Sequence, residues 1–356
     1  MKVLTVIGNR PQFVKASAVS GPLRRGNSEV LVHTGQHYDD ELSGIFFREL
    51  GLPAPDRELG IGGGSNSSQT GRMLSALEPV IECVAPDAVL VYGDTNSTLA
   101  GALAGVQAGV PVAHVEAGMR SFDRSMPEER NRVVADHLSE LLLCSSEAAI
   151  GNARREGLGD RAELVGDVMV DVALAAQPRA RERVDLVGAH GLAPGDYVLV
   201  TVHRAGTVDD PTRLEMLVEL LLAIPMPAIL PLHPRTRERL ARAGLLERLS
   251  EQPGLVVTAP LGYFELTALL CNARRVATDS GGLQKEAYLA GVPCVTLRSS
   301  TEWTETVDAG WNVLVDLDAS AALEALERVP PHNRPPLYGD GRAGERVVSA
   351  LTLRLG

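Results

Sequence analysis

The sequence predicts an α/β protein with two domains, each built on a parallel β-sheet. Short apolar runs rich in Val, Leu and Ala alternate with longer helical patterns, which is typical of buried parallel strands joined by helices. The series of strands restarts in the second half of the chain. The length of 356 residues, with 45% hydrophobic content, also suits two domains better than one. We expect the two sheets to face a cleft, because ligands of open α/β sheets bind beyond the carboxyl ends of the strands.

The predicted strands form two series separated by a domain boundary. The first series covers residues 3–7, 30–33, 88–92, 112–115 and 141–144, and the second covers 197–202, 228–230, 256–257, 276–278 and 294–297. Residues 174–196 are rich in Ala, Arg, Gly and Pro and are the expected domain boundary, with the hinge placed just before them. We therefore predict a first domain at 1–168, a second at 169–340 and a last helix at 341–356 that returns to the first domain.

Charge and hydropathy exclude several classes of partner. The formal net charge of -11 and a pI near 5.3 argue against nucleic acid or an anionic membrane as the main partner, since either favours a basic face. Met1 runs directly into a strand with no recognisable secretory signal, so we expect a cytoplasmic location. The most apolar stretch, residues 220–232, is interrupted by three prolines and is expected in the core rather than in a membrane.

The four cysteines are predicted to be buried free thiols. They are scattered singly in largely apolar surroundings, without the close pairing of a zinc site, at Cys83, Cys144, Cys271 and Cys294. No metal site is predicted.

The first strand leads into a turn with two cations. Gly8 permits a tight turn, Pro11 suits the start of a helix, and Arg10 and Lys15 lie where a sheet delivers its ligand. A phosphate clamp and a solvated surface turn explain this segment about equally well. The spacing is not Gly-x-Gly-x-x-Gly, so a dinucleotide fingerprint is not supported.

Three carboxylates occupy positions where catalytic groups are expected. Asp94 follows an apolar strand and a glycine, Glu116 ends another strand, and Glu128 opens a helix after Pro127. Carboxylates gathered in one partly dry site can have their pKa values driven apart, leaving one as base and another as acid. Each residue alone also has an ordinary explanation as a helix cap or as a complement to a helix dipole.

Basic side chains follow two strands of the second series. His203 and Arg204 end one strand, and His233 and Arg235 follow the next in the same manner. A diphosphate ligand would be bound well by such groups, although a single histidine at a strand end is more often structural. The recurrence favours a functional role for both pairs.

Residues 278–286 are predicted to hold the phosphates and ribose of a nucleotide sugar at the start of a helix. Gly281 and Gly282 lack the Cβ atoms that would block close approach, which leaves the Ser280 hydroxyl and backbone N–H groups to meet anionic oxygens. Glu286, one turn inside the helix, is placed to accept hydrogen bonds from ribose hydroxyls. Arg298 adds a cation after the next strand. A plain turn with an exposed glutamate is the alternative.

Together these segments resemble the non-hydrolysing UDP-N-acetylglucosamine 2-epimerase family over nearly the whole chain. The matching motifs, in the family's order, are Gly-Asn-Arg-Pro-Gln-Phe-Val-Lys at 8–15, His-Thr-Gly-Gln-His at 33–37, Gly-Asp-Thr-Asn-Ser at 93–97, His-Val-Glu-Ala-Gly at 114–118, Met-Pro-Glu-Glu at 126–129, His-Arg at 203–204 and Thr-Asp-Ser-Gly-Gly-Leu-Gln-Lys-Glu at 278–286. Such an ordered set is highly specific.

The resemblance implies two Rossmann-like domains in the GT-B-like architecture of one large class of glycosyltransferases. It implies interconversion of UDP-N-acetylglucosamine and UDP-N-acetylmannosamine without a nicotinamide cofactor or a catalytic metal. Asp94, Glu116 and Glu128 would then be the acid and base groups of the first domain, and His203 would assist at the diphosphate. The same resemblance implies a homodimer.

The sequence also departs from the family pattern. Gly206-Thr207 stands where Glu-Asn is common, Leu266 where a uracil-stacking Phe is frequent, and Asn66-Ser67-Ser68 where His-Gly-Glu is frequent. In members activated by a second UDP-N-acetylglucosamine, Gln36, His37 and Arg72 have counterparts, whereas Asp39 replaces a second Gln. These changes leave activation by a second substrate molecule as an open question.

Three other functions remain for the same architecture. A glycosyltransferase would keep UDP-sugar binding and add an acceptor pocket. A hydrolysing epimerase would release UDP and free N-acetylmannosamine, and a non-catalytic UDP-sugar-binding protein would be expected to lose one of the acid, base or histidine groups. The retained carboxylate set favours the non-hydrolysing epimerase. Cell-envelope polysaccharide and specialised-metabolite synthesis, including that of antibiotics, both remain as pathways.

Overall fold

The computed structural model describes residues 1–36 and 51–356, which divide into two compact units. Unit 1 comprises Met1–Val172 and Tyr338–Gly356, and unit 2 comprises Ala173–Leu337. The predicted boundaries follow residues 168 and 340, and those of the structure follow residues 172 and 337. His37 and Asp39 lie outside the described residues.

Within the described residues, each unit is built on one parallel sheet. The strands of unit 1 are β1 Lys2–Ile7, β2 Ser28–His33, β3 Arg57–Glu58, β4 Ala88–Tyr92, β5 Val112–Ala117, β6 Leu141–Cys144 and β7 Ala162–Leu164. Those of unit 2 are β8 Val198–Thr201, β9 Ala228–Pro231, β10 Leu255–Thr258, β11 Arg275–Thr278, β12 Cys294–Thr296 and β13 Asn312–Leu314. Their orders are β3-β2-β1-β4-β5-β6-β7 and β10-β9-β8-β11-β12-β13.

Helices connect nearly all of these strands. They are α1 Arg10–Arg24, α2 Asn66–Val84, α3 Asn96–Gln107, α4 Pro127–Leu138, α5 Glu147–Arg155, α6 Val168–Glu182, α7 Val184–Ala189, α8 Ala205–Val208, α9 Pro211–Ala223, α10 Pro234–Arg242, α11 Leu246–Ser250, α12 Tyr263–Cys271, α13 Gly281–Ala290, α14 Thr304–Asp308, α15 Ala319–Glu327 and α16 Ala343–Leu355. A 3₁₀ turn covers Gly159–Arg161. The last helix, α16, belongs to unit 1.

The first sheet is buried on both faces, as continuous apolar strands predict. Val3 and Ile7 pack on the face covered by α1 and α16, whereas Leu4 and Val6 pack on the face covered by α2 and α3. This division follows from the alternation of side chains along a strand. The second sheet likewise has an apolar cluster on each of its faces.

All ten predicted strands are present, and the predicted α/β class with parallel sheets is confirmed. The prediction missed β3, β7 and β13, which are only two or three residues long. Residues 174–196, the expected domain boundary, follow the division between the units after Val172, and most of them lie in α6 and α7. Ala, Leu and Arg are good helix formers, and Pro178 does not interrupt α6.

The cysteines and the apolar helices were also the subject of predictions. Cys144 and Cys294 are buried as predicted, but Cys83 is exposed near the end of α2, so that part of the prediction was wrong. All four cysteines are free thiols. Among the described residues, no helix has the length and apolar character needed to cross a membrane.

Candidate active site

Many of the candidate residues follow the strands at which the strand order of each sheet reverses, and the others follow a neighbouring strand. In the first sheet this switch point lies between β1 and β4, and in the second between β8 and β11. Ligands of open α/β sheets bind at such points, because the loops that follow the two strands diverge there. Each unit therefore has a candidate binding region at its own switch point.

The switch point of unit 1 opens into a pocket of about 250 Å³. This volume is below the usual range for drug-sized ligands and suits a single sugar ring better than a complete nucleotide sugar. The lining combines the starts of α1, α3 and α4 with the loop after β4, and consists of Asn9, Pro11, Gln12, Lys15, Gln36, Asn66, Gly93, Asp94, Thr95, Asn96, Pro127, Glu128 and Asn131. Arg10, the first residue of α1, is half-buried and is not part of this lining.

Gly8 is required for a different reason from the one the sequence suggested. A Cβ at this position would lie 2.0 Å from Ser97 Oγ and 2.2 Å from Thr34 Oγ1. The glycine therefore permits close packing between the end of β1 and the start of α3, rather than an unusual turn. Any larger residue would push these hydroxyl groups apart.

Glu116 has a strained backbone at the end of β5. Its φ is +67°, a conformation that L-residues other than glycine rarely adopt, and the pairing of β5 with β6 shifts register between Val115 and Ala117. Bulges of this kind re-aim a side chain, and such strain tends to occur at functional sites.

Lys15 and Glu116 form a largely buried ion pair. Lys15 Nζ lies 2.8 Å from Glu116 Oε1. Burial by itself lowers the pKa of Lys15, but Glu116 and, more weakly, Asp94 outweigh it, so the net pKa is raised and the ammonium form is retained. The pair thus holds a cation and a carboxylate together at the pocket.

Asp94 is held by side chains from α4. Arg132 donates to the Asp94 carboxylate, and the Asn131 amide donates to the Asp94 carbonyl oxygen at 3.0 Å. Arg132 also contacts Glu129, which is buried. Burial disfavours the charge of Glu129, but N–H groups of Ser121 and Phe122 and the Arg132 guanidinium outweigh this effect and lower its pKa.

Glu128 differs from the other two candidate carboxylates. It lines the pocket and is exposed, and no hydrogen bond or ion pair to its carboxylate is found in the described part of the chain. The structure therefore brings Asp94, Lys15 and Glu128 to one pocket and adds Glu116 through its contact with Lys15.

Sequence reasoning missed Arg132 and Glu129 as parts of this arrangement. With Asp136, they are spaced three and then four residues apart on α4, which places them on one helix face. That spacing of ionisable residues on a helix with a buried face was the available signal.

The residues considered for activation by a second substrate lie in different surroundings. Gln36 lines the pocket and accepts hydrogen bonds from the Ser97 N–H and hydroxyl groups, at 3.1 and 2.7 Å. Arg72 is exposed and donates to the carbonyl oxygens of Gly62 and Gly63. Because His37 is outside the described residues, the activating site stays a prediction.

In unit 2, the loop after β11 leads directly into α13. Ser280 is the N-cap residue of α13, and its side chain makes no capping hydrogen bond. A Cβ at Gly282 would meet no other atom within 4 Å, and one at Gly281 would make only ordinary contacts. The start of α13 is therefore open to a ligand, and its unpaired N–H groups suit an anion.

Glu302 lies beside this helix terminus between two arginines. Its carboxylate contacts Arg298 at 2.8 Å and Arg204 at 3.1 Å, and Glu302 Oε2 is 3.5 Å from the position of a Cβ built on Gly281. Burial opposes ionisation of Glu302, but Arg298 outweighs it and lowers the pKa. An internal carboxylate thus occupies the region where a phosphate would meet both arginines.

Asp279 is another residue to which sequence reasoning assigned no role. It is fully buried, and its carboxylate accepts hydrogen bonds from the backbone N–H groups of His203 and Arg204, at 3.1 and 2.9 Å. The His203 ring is partly exposed and lies 5.8 Å from that of His233. Asp279 therefore fixes the loop that presents the predicted diphosphate-binding residues.

His233 and Arg235 are engaged locally. His233 is the N-cap residue of α10, and its Nδ1 accepts from the Arg235 N–H at 3.2 Å. The Arg235 guanidinium pairs with Asp209, which it shares with Arg239. The structure brings His233 to His203 but turns Arg235 toward Asp209.

Glu286 lies on α13 in surroundings that disfavour its charge. The residue is half-buried, and this burial raises the pKa of its carboxyl to about 7. Burial raises the pKa of the nearby Tyr263 phenol, and the negative charge of Glu286 raises it further. Glu286 is thus poised to change ionisation near neutral pH.

Two parallel sheets, with carboxylates at one switch point and arginines beside an open helix terminus at the other, define the class of two-domain α/β enzymes with a GT-B-like fold. The chain belongs to the UDP-N-acetylglucosamine 2-epimerase family, whose model matches residues 23–352. The predicted resemblance and fold class are therefore confirmed.

Individual relatives agree over almost the whole length. The chain is 47% identical to the UDP-2,3-diacetamido-2,3-dideoxy-D-glucuronate 2-epimerase of Pseudomonas aeruginosa and 41% identical to the UDP-N-acetylglucosamine 2-epimerase of Methanocaldococcus jannaschii, with 99% of each chain covered. A crystal structure of the latter species' enzyme with UDP-GlcNAc and UDP has a TM-score of 0.85 and 40% identity over 99% of this chain and 100% of the other.

Proposed function

We propose that this chain is a non-hydrolysing UDP-N-acetylglucosamine 2-epimerase, which interconverts UDP-N-acetylglucosamine and UDP-N-acetylmannosamine. The observation that carries the proposal is the gathering of Asp94, Glu116 and Glu128 around a sugar-sized pocket at the switch point of unit 1. Family membership over nearly the full length supports the same reaction class.

The chemistry requires the nucleotide to leave before the sugar inverts. The C2 proton has no adjacent ketone to acidify it, so direct removal is difficult. Expulsion of UDP creates positive charge at the anomeric carbon, and loss of the C2 proton to a carboxylate then yields 2-acetamidoglucal. Re-addition of UDP with protonation on the other face of C2 completes the epimerisation.

Proton transfer on opposite faces of C2 needs two acid or base groups. Asp94 and Glu128 line the pocket, and Glu116 lies beside it in contact with Lys15. Asp94 and Glu116 each contact a cation, Arg132 and Lys15, that keeps a carboxylate charged and oriented. Glu128 is exposed at the same pocket, and no cation contacts its carboxylate among the residues that the structure describes. We assign the acid and base roles to this set as a whole.

UDP must stay bound while it is detached from the sugar. The open start of α13 with Ser280, Gly281 and Gly282 would bind the diphosphate, Arg204 and Arg298 would balance its charge, and Glu286 would accept from the ribose. His203 would assist the departing diphosphate. Retention of UDP is what separates this reaction from hydrolysis.

The proposal is tested by incubating the purified protein with UDP-N-acetylglucosamine in deuterated water and following the sugar by NMR. We expect UDP-N-acetylmannosamine carrying deuterium at C2. No exchange at C2 from either UDP-sugar would refute the proposal.

The same experiment separates the three alternatives. Free N-acetylmannosamine with released UDP would indicate a hydrolysing epimerase, and sugar transfer to an added acceptor without C2 exchange would indicate a glycosyltransferase. Binding without any exchange or transfer would indicate a non-catalytic UDP-sugar-binding protein.

A second candidate substrate is UDP-2,3-diacetamido-2,3-dideoxy-D-glucuronate. The observation in its favour is the 47% identity to the Pseudomonas aeruginosa enzyme named for that sugar. The reaction at C2 would be the same, so the comparison of kcat/KM for the two substrates decides between them. A preference for the glucuronate of about tenfold or more corresponds to about 1.4 kcal/mol of transition-state binding and would move the assignment to it.

We also propose a cytoplasmic homodimer that binds neither nucleic acid nor membrane. The net charge of -11 supports the last two points. Light scattering coupled to size-exclusion chromatography is expected to give about twice the chain mass of 37.8 kDa, and a mass of one chain would contradict the dimer.

A further inference from the structure

A buried histidine lies directly behind the candidate carboxylates of unit 1. His114 is on β5 and is fully buried. Its Nε2 is 2.6 Å from the carbonyl oxygen of Gly93, and its Nδ1 is 2.7 Å from Asp136 Oδ1. The Gly93 carbonyl belongs to the peptide that joins Gly93 to Asp94, so the histidine contacts the backbone that carries one of the three carboxylates.

The two partners of the His114 ring differ: Nε2 faces a carbonyl oxygen and Nδ1 faces a carboxylate. A carbonyl oxygen only accepts hydrogen bonds, so Nε2 carries a hydrogen. Asp136 also accepts from the Gly118 N–H at 3.1 Å and from Arg120 at 2.7 Å. Burial raises the pKa of Asp136, but His114 and Arg120 outweigh this and lower it, so the group facing Nδ1 is a carboxylate.

These contacts fix the turn that presents Asp94. The Gly93 N–H donates to the carbonyl oxygen of Val115 at 3.0 Å, and the Gly93 carbonyl accepts from His114. Gly93 has a φ of +63°, so the chain turns sharply there. Its N–H and its carbonyl group are both hydrogen-bonded to residues of β5. Because β5 also carries Glu116, the strand sets the spacing between two of the candidate carboxylates.

Asp136 connects His114 to the helix that carries the third carboxylate, Glu128. It is on α4, the helix that begins at Pro127 and carries Glu128. Its contact with His114 joins α4 to β5 in the interior of the unit, where both side chains are fully buried. The elements that carry all three carboxylates therefore meet at one hydrogen-bonded pair.

We propose that His114, held by Asp136, is a positioning residue that sets the geometry of the carboxylates for proton transfer at C2. This inference rests on the proposed function, and it assigns His114 no contact with substrate. A misplacement of a catalytic group by about 1 Å can lower turnover about 100-fold. Loss of the hydrogen bond to Gly93 should therefore reduce kcat and leave nucleotide binding unchanged.

The test uses His114→Phe, which keeps a planar ring but cannot donate to Gly93. The matched control is His137→Phe, the same substitution at a partly exposed site on α4. We expect His114→Phe to lose about 100-fold in kcat, with KM and the Kd for UDP within about twofold of the wild type. All assays are run at temperatures well below the midpoint of unfolding, where a residue that only adds stability would leave kcat unaltered.

Asp136→Asn is the second variant. Its amide can donate to Nδ1 of His114, so Nε2 keeps its hydrogen and its bond to Gly93. We expect it to retain at least about tenfold more of the wild-type kcat than His114→Phe, since the hydrogen bond and not the charge does the positioning.

Three outcomes would overturn the proposal. They are a folded His114→Phe with wild-type kcat, equal losses in both variants, and failure of both variants to fold while His137→Phe folds. In each case the pair would be a structural element of the core. The proposed function fails separately, because it requires C2 exchange by the wild-type protein.

Discussion

The switch points of the two units differ in how their charges are balanced. In unit 1, Asp94 and Glu116 are each paired with a largely buried cation of the same unit. In unit 2, Arg204 and Arg298 share the half-exposed carboxylate of Glu302 beside a helix terminus with no side chain at its first two positions. The charges of the first site are thus paired within well-buried contacts, whereas the arginines of the second share one half-exposed carboxylate.

This difference matches the two tasks of the proposed reaction. Proton transfer at carbon needs groups held in place, because small errors of position cost large factors in rate. Capture of a diphosphate needs accessible donors and cations, because a charged ligand must give up water for them. If unit 1 carries out proton transfer and unit 2 binds the diphosphate, substitutions in the first should change turnover and substitutions in the second should change UDP affinity.

The largest expected effect is on turnover in Glu116→Gln. Removal of an acid or base group costs about 10²- to 10⁴-fold in kcat. Because UDP is proposed to bind to unit 2, its Kd should change by less than about twofold. Glu147→Gln, at an exposed position at the start of α5, is the matched control for the loss of one negative charge. Unchanged turnover would remove Glu116 from the mechanism.

The next effect is on UDP affinity in Gly282→Ala. The new Cβ meets no other protein atom within 4 Å, so only a ligand at the start of α13 would clash with it. We expect a loss of about tenfold or more in affinity by calorimetry, about 1.4 kcal/mol. Folding should not suffer, since alanine is favoured over glycine in a helix.

Gly188→Ala, on the exposed side of α7, provides the comparison for that change. A Cβ at Gly188 also meets no atom within 4 Å, and the position lies away from the loop after β11. It should raise stability slightly and leave UDP binding alone. Equal UDP affinity in the two variants would mean that the start of α13 is not the diphosphate site.

A smaller effect, in the opposite direction, is expected for Glu302→Gln. If a phosphate displaces this carboxylate from Arg204 and Arg298, loss of its charge should tighten UDP binding. Exposed ion pairs contribute about 0.5 to 1 kcal/mol, which corresponds to about 2- to 5-fold. Glu305→Gln removes the same charge in α14, one turn away. Weaker binding by Glu302→Gln alone would show instead that the carboxylate is needed to position the arginines.

The smallest effect is a pH dependence from Glu286. With a pKa of about 7, its carboxyl is mostly protonated at pH 6 and mostly ionised at pH 8, and in the ionised form both oxygens are acceptors for the two ribose hydroxyls. Affinity for uridine, which has no titrating phosphate, should therefore rise over this interval. Glu286→Gln should remove the rise, and a wild-type affinity that does not change with pH would contradict the assignment.

The same pKa has a consequence for stability with a defined sign. The pKa in the folded state lies above the ordinary value of 4.5, so the folded state binds more protons between those values. The free energy of unfolding therefore falls as the pH rises from about 4.5 to about 7. Denaturant titrations of the wild type and Glu286→Gln should differ by this slope.

Sequence reasoning found ten strands and missed three edge strands that are only two or three residues long. Short strands such as Ala162–Leu164 carry too little pattern to be recognised. The segment 174–196 was identified as a domain boundary from its composition, which did not reveal that most of it is helical. Composition is a weaker guide than the pairing and packing that a helix finds in the folded chain.

The sequence by itself determined the α/β class, the positions of the candidate residues after particular strands and the family. These follow from local patterns and from motifs in order. The tertiary structure alone decided which charges meet: Lys15 contacts a carboxylate 101 residues away, and Arg132 one 38 residues away. It also strained Glu116 and placed Asp136 against His114. Such pairs depend on distances between elements, and no local pattern contains those distances.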